Sequence, residues 1–548
     1  MKATFKPLGL AAAVAAVSAG YAGVSQAQDA VLPNNDLGDV GIIPYYTTEG
    51  DFVTGIHIIN TSDLTQVVKL RMRRGSDSMD ALDFNIIMSP RDEWTGFVDD
   101  SSGKVVLATE DTTCTAPLRA DGRFEMPGLY SEGATEGYIE VIGMASADSD
   151  QAISVGAEHV DGVPFDCGAV ESNFFRNTEV DFSVSPPAVD FDFDAKGVIN
   201  SSFTNQTCTD AIALETGRIG FGKTCASEGL AVLSNVYAAT GNALKVSFFV
   251  RDAASGLEFG NSAVHLADFS DVAMMSNQEV IVVGASDPFG YLFPDLDGGS
   301  PADTPRGRFE GVRAALGASS VINDWSVATE RNVATDWVIT LPGQYLMLDL
   351  QQYTESLFDA DEDCYTVEEA DRNEDLDPDN ADYYCDERDL PVELFIDLWD
   401  REEGTFSNPD SGLVISPSIT DAPSDDTLEY EVNVIQWNDG GDTPPVLPSQ
   451  YAKSYAVDTE NLGGVFGWAE LSVKAGSNKT QGIYNFLLSS EAANDAPTFD
   501  SLTNVQVPIV GFVAWERSFP SDPSANYGRI VEHRSEERRV GKECRSRW

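Results

Sequence analysis

The densest concentration of chemistry-bearing residues lies between Asp359 and Asp389, DADEDCYTVEEADRNEDLDPDNADYYCDERD, with fifteen Asp and Glu against two Arg. Self-repulsion and the lack of apolar surface leave the entropy of such a stretch unopposed. Order there requires a cross-link or bound cations. Asp371, Asn373, Asp375, Asp379 and Asp382 place oxygen ligands at positions 1, 3, 5, 9 and 12 of one frame. Calcium takes six to eight oxygens at that alternating spacing, so calcium is the expected cofactor. The frame departs from the EF-hand pattern, with Leu376 in the Gly position, Asp382 in place of Glu, and no evident flanking helices. A disulfide-bounded loop that stays hydrated is the alternative. Further oxygen donors stand at Asp359, Asp361 and Asp363 with Glu368 and Glu369, and more weakly at Asp295 and Asp297 before Gly298.

No residue set defines a reaction. GxSxG, HExxH and a catalytic cysteine context are missing from the sequence, and His57, His159, His265 and His533 lack ligand spacing. His57 reads as a satisfied strand histidine. A glycosidase needs two carboxylates about 5–10 Å apart, a separation that only the fold sets. Glu402 and Glu403 in DREEG are the first pair to consider, with surface charge as the simpler account. Gly217 to Thr224 matches GxxxxGK[ST], but the β-rich surroundings favour an ordinary Gly-rich turn over a phosphate loop. Asp190, Asp192 and Asp194 in PPAVDFDFD alternate with Phe191 and Phe193, as in an acidic strand. Trp94, Trp337, Trp399 and Trp468 lie in strand-like contexts. Core packing is expected of them, with sugar stacking as the alternative.

The elements that must position these residues belong to an exported protein. Lys2 and Lys6 precede the apolar run Leu8 to Val17, and Ser25-Gln26-Ala27 ends a secretory signal. The compartment expected is periplasmic, cell-surface or extracellular, with no transmembrane segment. The formal charge of -55 excludes nucleic acid and anionic membranes as partners and favours cations, basic partners or a saline habitat. Residues 534–548, RSEERRVGKECRSRW, resemble a translated sequencing adapter and carry six basic residues. Setting them aside removes Cys544. Six cysteines remain, which allow fifteen connectivities, and neighbour pairing, the simplest, gives Cys114 with Cys167, Cys208 with Cys225 and Cys364 with Cys385.

Short strand-like runs with Gly, Asn, Asp and Pro between them fill the rest: Val40 to Tyr46, Phe52 to Asn60, Phe84 to Met88, Trp94 to Val98, Tyr138 to Met144 and Ile153 to His159. Val68, Leu70 and Met72 alternate with Lys69, Arg71 and Arg73, the signature of a half-buried strand. Later strands are expected at Leu244 to Val250, Val280 to Val283, Trp337 to Thr340, Tyr345 to Leu350, Val392 to Trp399, Leu428 to Ile435 and Val505 to Trp515. In Leu428 to Ile435, Leu428, Tyr430, Val432 and Val434 share one face. The fold class is all-β, a multidomain β-sandwich of immunoglobulin-like or related type with few helices. The expected divisions are a signal peptide (1–27), a β-sandwich domain (28–187), a second β domain carrying the acidic loop 359–389 (188–443), a C-terminal β segment or domain (444–533) and the foreign tail (534–548).

IIPYY near Ile42, FNIIMSPRDEWTG from Phe84, TDWVITLP from Thr335, DREEG from Asp400, EYEVNVIQ from Glu429, and VGFVAWERSF with NYGRIVEH resemble a group of uncharacterised exported β-rich proteins of proteobacteria. The resemblance implies export and β structure but no chemistry. The expected role is a non-enzymatic surface or extracellular structural, adhesive or binding protein with a calcium-ordered loop. A secreted carbohydrate-active enzyme and a passive filament or surface-layer subunit are the alternatives.

Overall fold

A computed structural model of the chain describes residues 30–78, 80–100, 102–126, 131, 133–171, 174, 177–181, 188–192, 237–271, 273–274, 294–296, 305–343, 392–401, 405–407, 427–439, 445–457, 464–473 and 507–535. The earlier strands are β1 (Val40–Thr47), β2 (Phe52–Asn60), β3 (Thr65–Arg74), β4 (Asp80–Met88), β5 (Glu93–Asp99), β6 (Val106–Ala108), β7 (Cys114–Ala116), β8 (Arg123–Glu125), β9 (Glu136–Ala147), β10 (His159–Val160), β11 (Val163–Pro164), β12 (Asn177–Asp181), β13 (Ala188–Asp192), β14 (Tyr237–Ala238), β15 (Leu244–Asp252), β16 (Glu258–Ser262) and β17 (Val264–Leu266). The later ones are β18 (Gly317–Ala318), β19 (Ser320–Ser326), β20 (Val333–Thr340), β21 (Val392–Asp400), β22 (Thr405–Ser407), β23 (Thr427–Leu428), β24 (Val432–Asn438), β25 (Ala452–Ala456), β26 (Phe466–Val473), β27 (Val507–Pro508), β28 (Val510–Arg517) and β29 (Tyr527–Glu532). Among the described residues the α-helices are short: α1 (Ala152–Ala157), α2 (Cys167–Glu171) and α3 (Pro305–Leu316). The fold is all-β and multidomain.

Four sheets make two sandwiches. In the first, a sheet ordered β17-β1-β9-β3-β4-β7, with β14 also on β9, faces a sheet ordered β16-β15-β2-β5-β6-β8. Strands from both sides of residue 187 therefore build one sandwich, since β15 pairs with β2 and β17 with β1. In the second, β19-β26-β21-β22 faces β25-β24-β20-β28-β29. This last sheet is covered on both faces. Val338, Val432, Val434, Val510, Phe512 and Ala514 join the first core, whereas Trp337, Ile339, Ile435, Trp437 and Val513 join the second. Side chains on successive strand residues point to opposite faces, so continuous apolar runs such as Trp337 to Ile339 mark a sheet packed on both sides. Phe512 meets Tyr45 and Phe248 across the junction, with ring centroids 6.4 and 5.9 Å away.

Two local expectations change. Ile153 to His159 reads as a strand because of its β-branched residues, but Ala152–Ala157 is the helix α1. Ile153 and Ala157, four residues apart, form its buried stripe over the outer face of the first sheet. The run Leu428 to Ile435 breaks at residues 429–431, so Leu428 serves the second core while Val432 and Val434 serve the first. Cys114 on β7 and Cys167 at the start of α2 form a disulfide (S–S 2.03 Å), which ties the helical cover to the sheet. Backbone pairing continues past β29 to Arg534, which bridges Ile322.

Candidate ligand-binding face of the second sandwich

Strands β21 and β26 alternate two kinds of residue. Leu394, Ile396 and Leu398, with Ala469 and Leu471, point into the second core. The opposite parity carries Phe395, Asp397 and Trp399 on β21, and Phe466, Trp468 and Glu470 on β26. Aliphatic packing therefore fixes the strands, and the aromatic and charged set is left on the outer face.

Register turns that set into a ladder. Trp399 lies opposite Trp468, Asp397 opposite Glu470 and Phe395 opposite Ser472. On the other side of β26, Asp324 of β19 lies opposite Trp468. The two indoles stack at 3.9 Å between centroids and 7° between planes. Trp468 nevertheless remains 38 % exposed and Phe395 43 % exposed. Two residues before Trp468, Phe466 has the guanidinium carbons of Arg331 and Arg401 at 5.6 and 5.3 Å from its ring centre.

The pair is held from beneath. The indole N–H of Trp325, on the buried side of β19, donates to the backbone carbonyls of Trp468 and Trp399 at 3.1 and 3.3 Å. Gly467 makes the close approach feasible, because a Cβ there would lie 1.8 Å from the Trp399 carbonyl oxygen. The carboxylates are held differently. Among the described residues, Asp324, Asp397 and Glu470 have no cation within salt-bridge distance. Like charges directly opposite on a sheet are destabilising. The face thus offers an exposed ring bordered by three negative groups that no cation among the described residues compensates.

A second polar centre, on the outer face of the first sheet, is closed. Lys69, Arg71 and Arg73 are buried on both sides of their strand, contrary to the half-buried expectation. Lys69 meets Asp83 at 3.0 Å and Arg71 pairs with Asp80. Arg73 meets Asp80, Glu140 and Asp295 at 3.1, 3.3 and 2.8 Å. Asp295, expected among the weaker oxygen donors for calcium, instead binds Arg71 and Arg73. Burial lowers the Lys69 pKa, partly offset by Asp83, and burial raises that of Glu140, partly offset by Arg73. Such a centre neutralises its own charges and locks strand to strand.

Of the residues anticipated for chemistry, Cys114 and Cys167 are brought together. Asp371, Asn373, Asp375, Asp379 and Asp382, Cys208, Cys225, Cys364 and Cys385, and Glu402 and Glu403 lie outside the described residues. Among the described residues, no group of three or more His, Cys, Asp or Glu is arranged to hold a metal ion. His57 is satisfied on its strand, with Nε2 2.6 Å from Glu93 Oε1. Trp94 and Trp337 are core residues, but Trp399 and Trp468 are not. Their signal was the parity of FIDLW and FGWAEL, in which every second position is aromatic or charged while the others are small or aliphatic. No protein-family model, curated protein or solved structure matches the chain.

Proposed function

We propose that the protein is exported and acts as a non-enzymatic surface or extracellular binding protein whose contact surface is the outer face of β19, β26 and β21. The observation that carries this reading is the stacked Trp399–Trp468 pair, with Trp468 exposed and both backbones fixed from below by Trp325. Tryptophan and arginine are the residues on which binding energy concentrates, and rigid backing lowers the ordering cost of contact. The Cys114–Cys167 disulfide supports an oxidising compartment. Calcium ordering of the acidic stretch remains part of the proposal on the spacing of its oxygen donors; calorimetric melting with millimolar calcium and then with chelator tests it, and an unchanged Tm removes it.

Binding is tested with beads coated by the wild-type protein or by the W399A/W468A variant, applied to cell-envelope and extracellular-matrix preparations. Retention of wild-type beads and release of variant beads is the expected result. Equal retention of both overturns the assignment of this face.

A further inference from the structure

We infer that this face takes a cationic ligand, a basic peptide segment whose Lys or Arg side chain lies against Trp468 among Asp324, Asp397 and Glu470. The inference rests on the binding role proposed above and names the chemistry of its partner. Register puts Asp324 beside Trp468 on one neighbouring strand, Glu470 two residues along the same strand, and Asp397 opposite Glu470 on the other. Acidic neighbours are common in a chain with 89 Asp and Glu. What sets this group apart is the exposed indole at its centre. Tryptophan is the best π partner for a cation, and the attraction strengthens as water is displaced.

The protein already uses this mode on the adjacent ring. Arg331 and Arg401 lie over Phe466 on the same face of β26. Among the described residues, Trp468 stacks on the Trp399 ring alone, and its three carboxylate neighbours have no cation within salt-bridge distance. A guanidinium or ammonium here would meet aromatic area and opposite charge together. Phosphate-bearing ligands would meet three negative groups on a chain of formal charge -55. A neutral sugar would fill the ring face but leave the charges uncompensated.

The probe is a fluorescein-labelled Lys/Arg hexapeptide, followed by anisotropy at about 0.15 M salt, where screening beyond about 8 Å suppresses diffuse attraction. Four full-length proteins are compared: wild type, W468A, the D324N/D397N/E470Q triple, and a D148N/D150N/D161N control that removes the same charge from another exposed region. Melting curves confirm that each is folded. Expected are saturable wild-type binding, roughly fivefold weakening by W468A, and at least about tenfold weakening by the site triple. The control should change affinity by less than about twofold. Equal weakening by the two triples with no effect of W468A assigns the attraction to the overall field and overturns the cationic assignment, as does absence of wild-type binding. Binding of a neutral β-glucan oligomer that is lost in W468A but retained in the site triple also overturns the cationic assignment. If the coated beads still depend on the Trp pair while the peptide fails to bind, only the ligand class falls. If neither depends on it, the face itself falls.

Discussion

Strand β3 and the pair β21 and β26 carry the same kind of alternation, aliphatic residues on one face and charged or aromatic ones on the other. On β3 the second face is covered, and Lys69, Arg71 and Arg73 each meet carboxylates from neighbouring strands or from residues 294–296. On β21 and β26 the second face is open, and Asp397 and Glu470 stand opposite each other with no compensating cation among the described residues. Buried charge must be paired because desolvation costs several kcal/mol per ion. Charge in water has no such constraint, so an unpaired set can be kept for a partner. Closed pairing builds structure, and open imbalance leaves chemistry unspent.

Breaking the closed centre gives the largest expected effect. R73L would leave Glu140 and Asp295 without their Arg73 contacts and should lower stability by about 3–5 kcal/mol, read from urea denaturation. The R73L/E140L double variant should recover part of that loss; no recovery would mean that lost packing, not stranded charge, is the cause.

Next comes pH, because the closed regions hold carboxylates out of water. Burial raises Glu136 to about 7, against hydrogen bonds from the Tyr45 hydroxyl and the Gln450 N–H. Burial likewise raises Asp336 to about 7, against the N–H groups of Val446 and Leu447. Between the ordinary carboxylate range and pH 7 the folded state holds more protons than the unfolded state, so stability falls as pH rises through that window. Each group contributes on the order of 3 kcal/mol to the fall. Calorimetric Tm at high salt should drop from pH 5 to pH 8, and E136Q/D336N should flatten the drop.

Smaller effects sharpen the other side of the contrast. G467A forces a Cβ toward the Trp399 carbonyl and should cost about 1–3 kcal/mol while disturbing the exciton signal of the stacked indoles in near-ultraviolet circular dichroism. A melting curve and indole signal that both match wild type would show that the approach is not tight. D397N removes one of two opposed charges on the open face and should shift stability by no more than about 0.5 kcal/mol, in the stabilising direction. A large loss there would show that Asp397 has a structural partner.

Much of the strand framework was legible from alternation and turn residues. Phe52–Asn60 and the runs around Phe84, Trp94 and Trp337 lie where period-two patterning and intervening Gly, Asn and Asp place them. The pairing of Cys114 with Cys167 is the simplest of the fifteen that six cysteines allow, and the structure forms it. Helix α1 was not legible, because Ile153 and Val155 favour a strand by type and only the sheet beneath rewards the four-residue spacing of Ile153 and Ala157. The ladder around Trp468 was half legible: each strand's parity is in the sequence, but the opposition of Trp399 to Trp468, 69 positions apart, is a matter of register.

The sequence by itself determined that the chain is β-rich and strongly acidic, because periodicity and composition are local or additive properties, whereas the Cys114–Cys167 link needed the fold to bring the two together. Tertiary structure decided which charged faces are closed and which are open. Alternation states that the two faces of a strand differ, but not how many of them will be covered by another layer. That depends on long-range packing, which buried Arg71 and Arg73 beneath Asp295 and left Trp468 in contact with solvent.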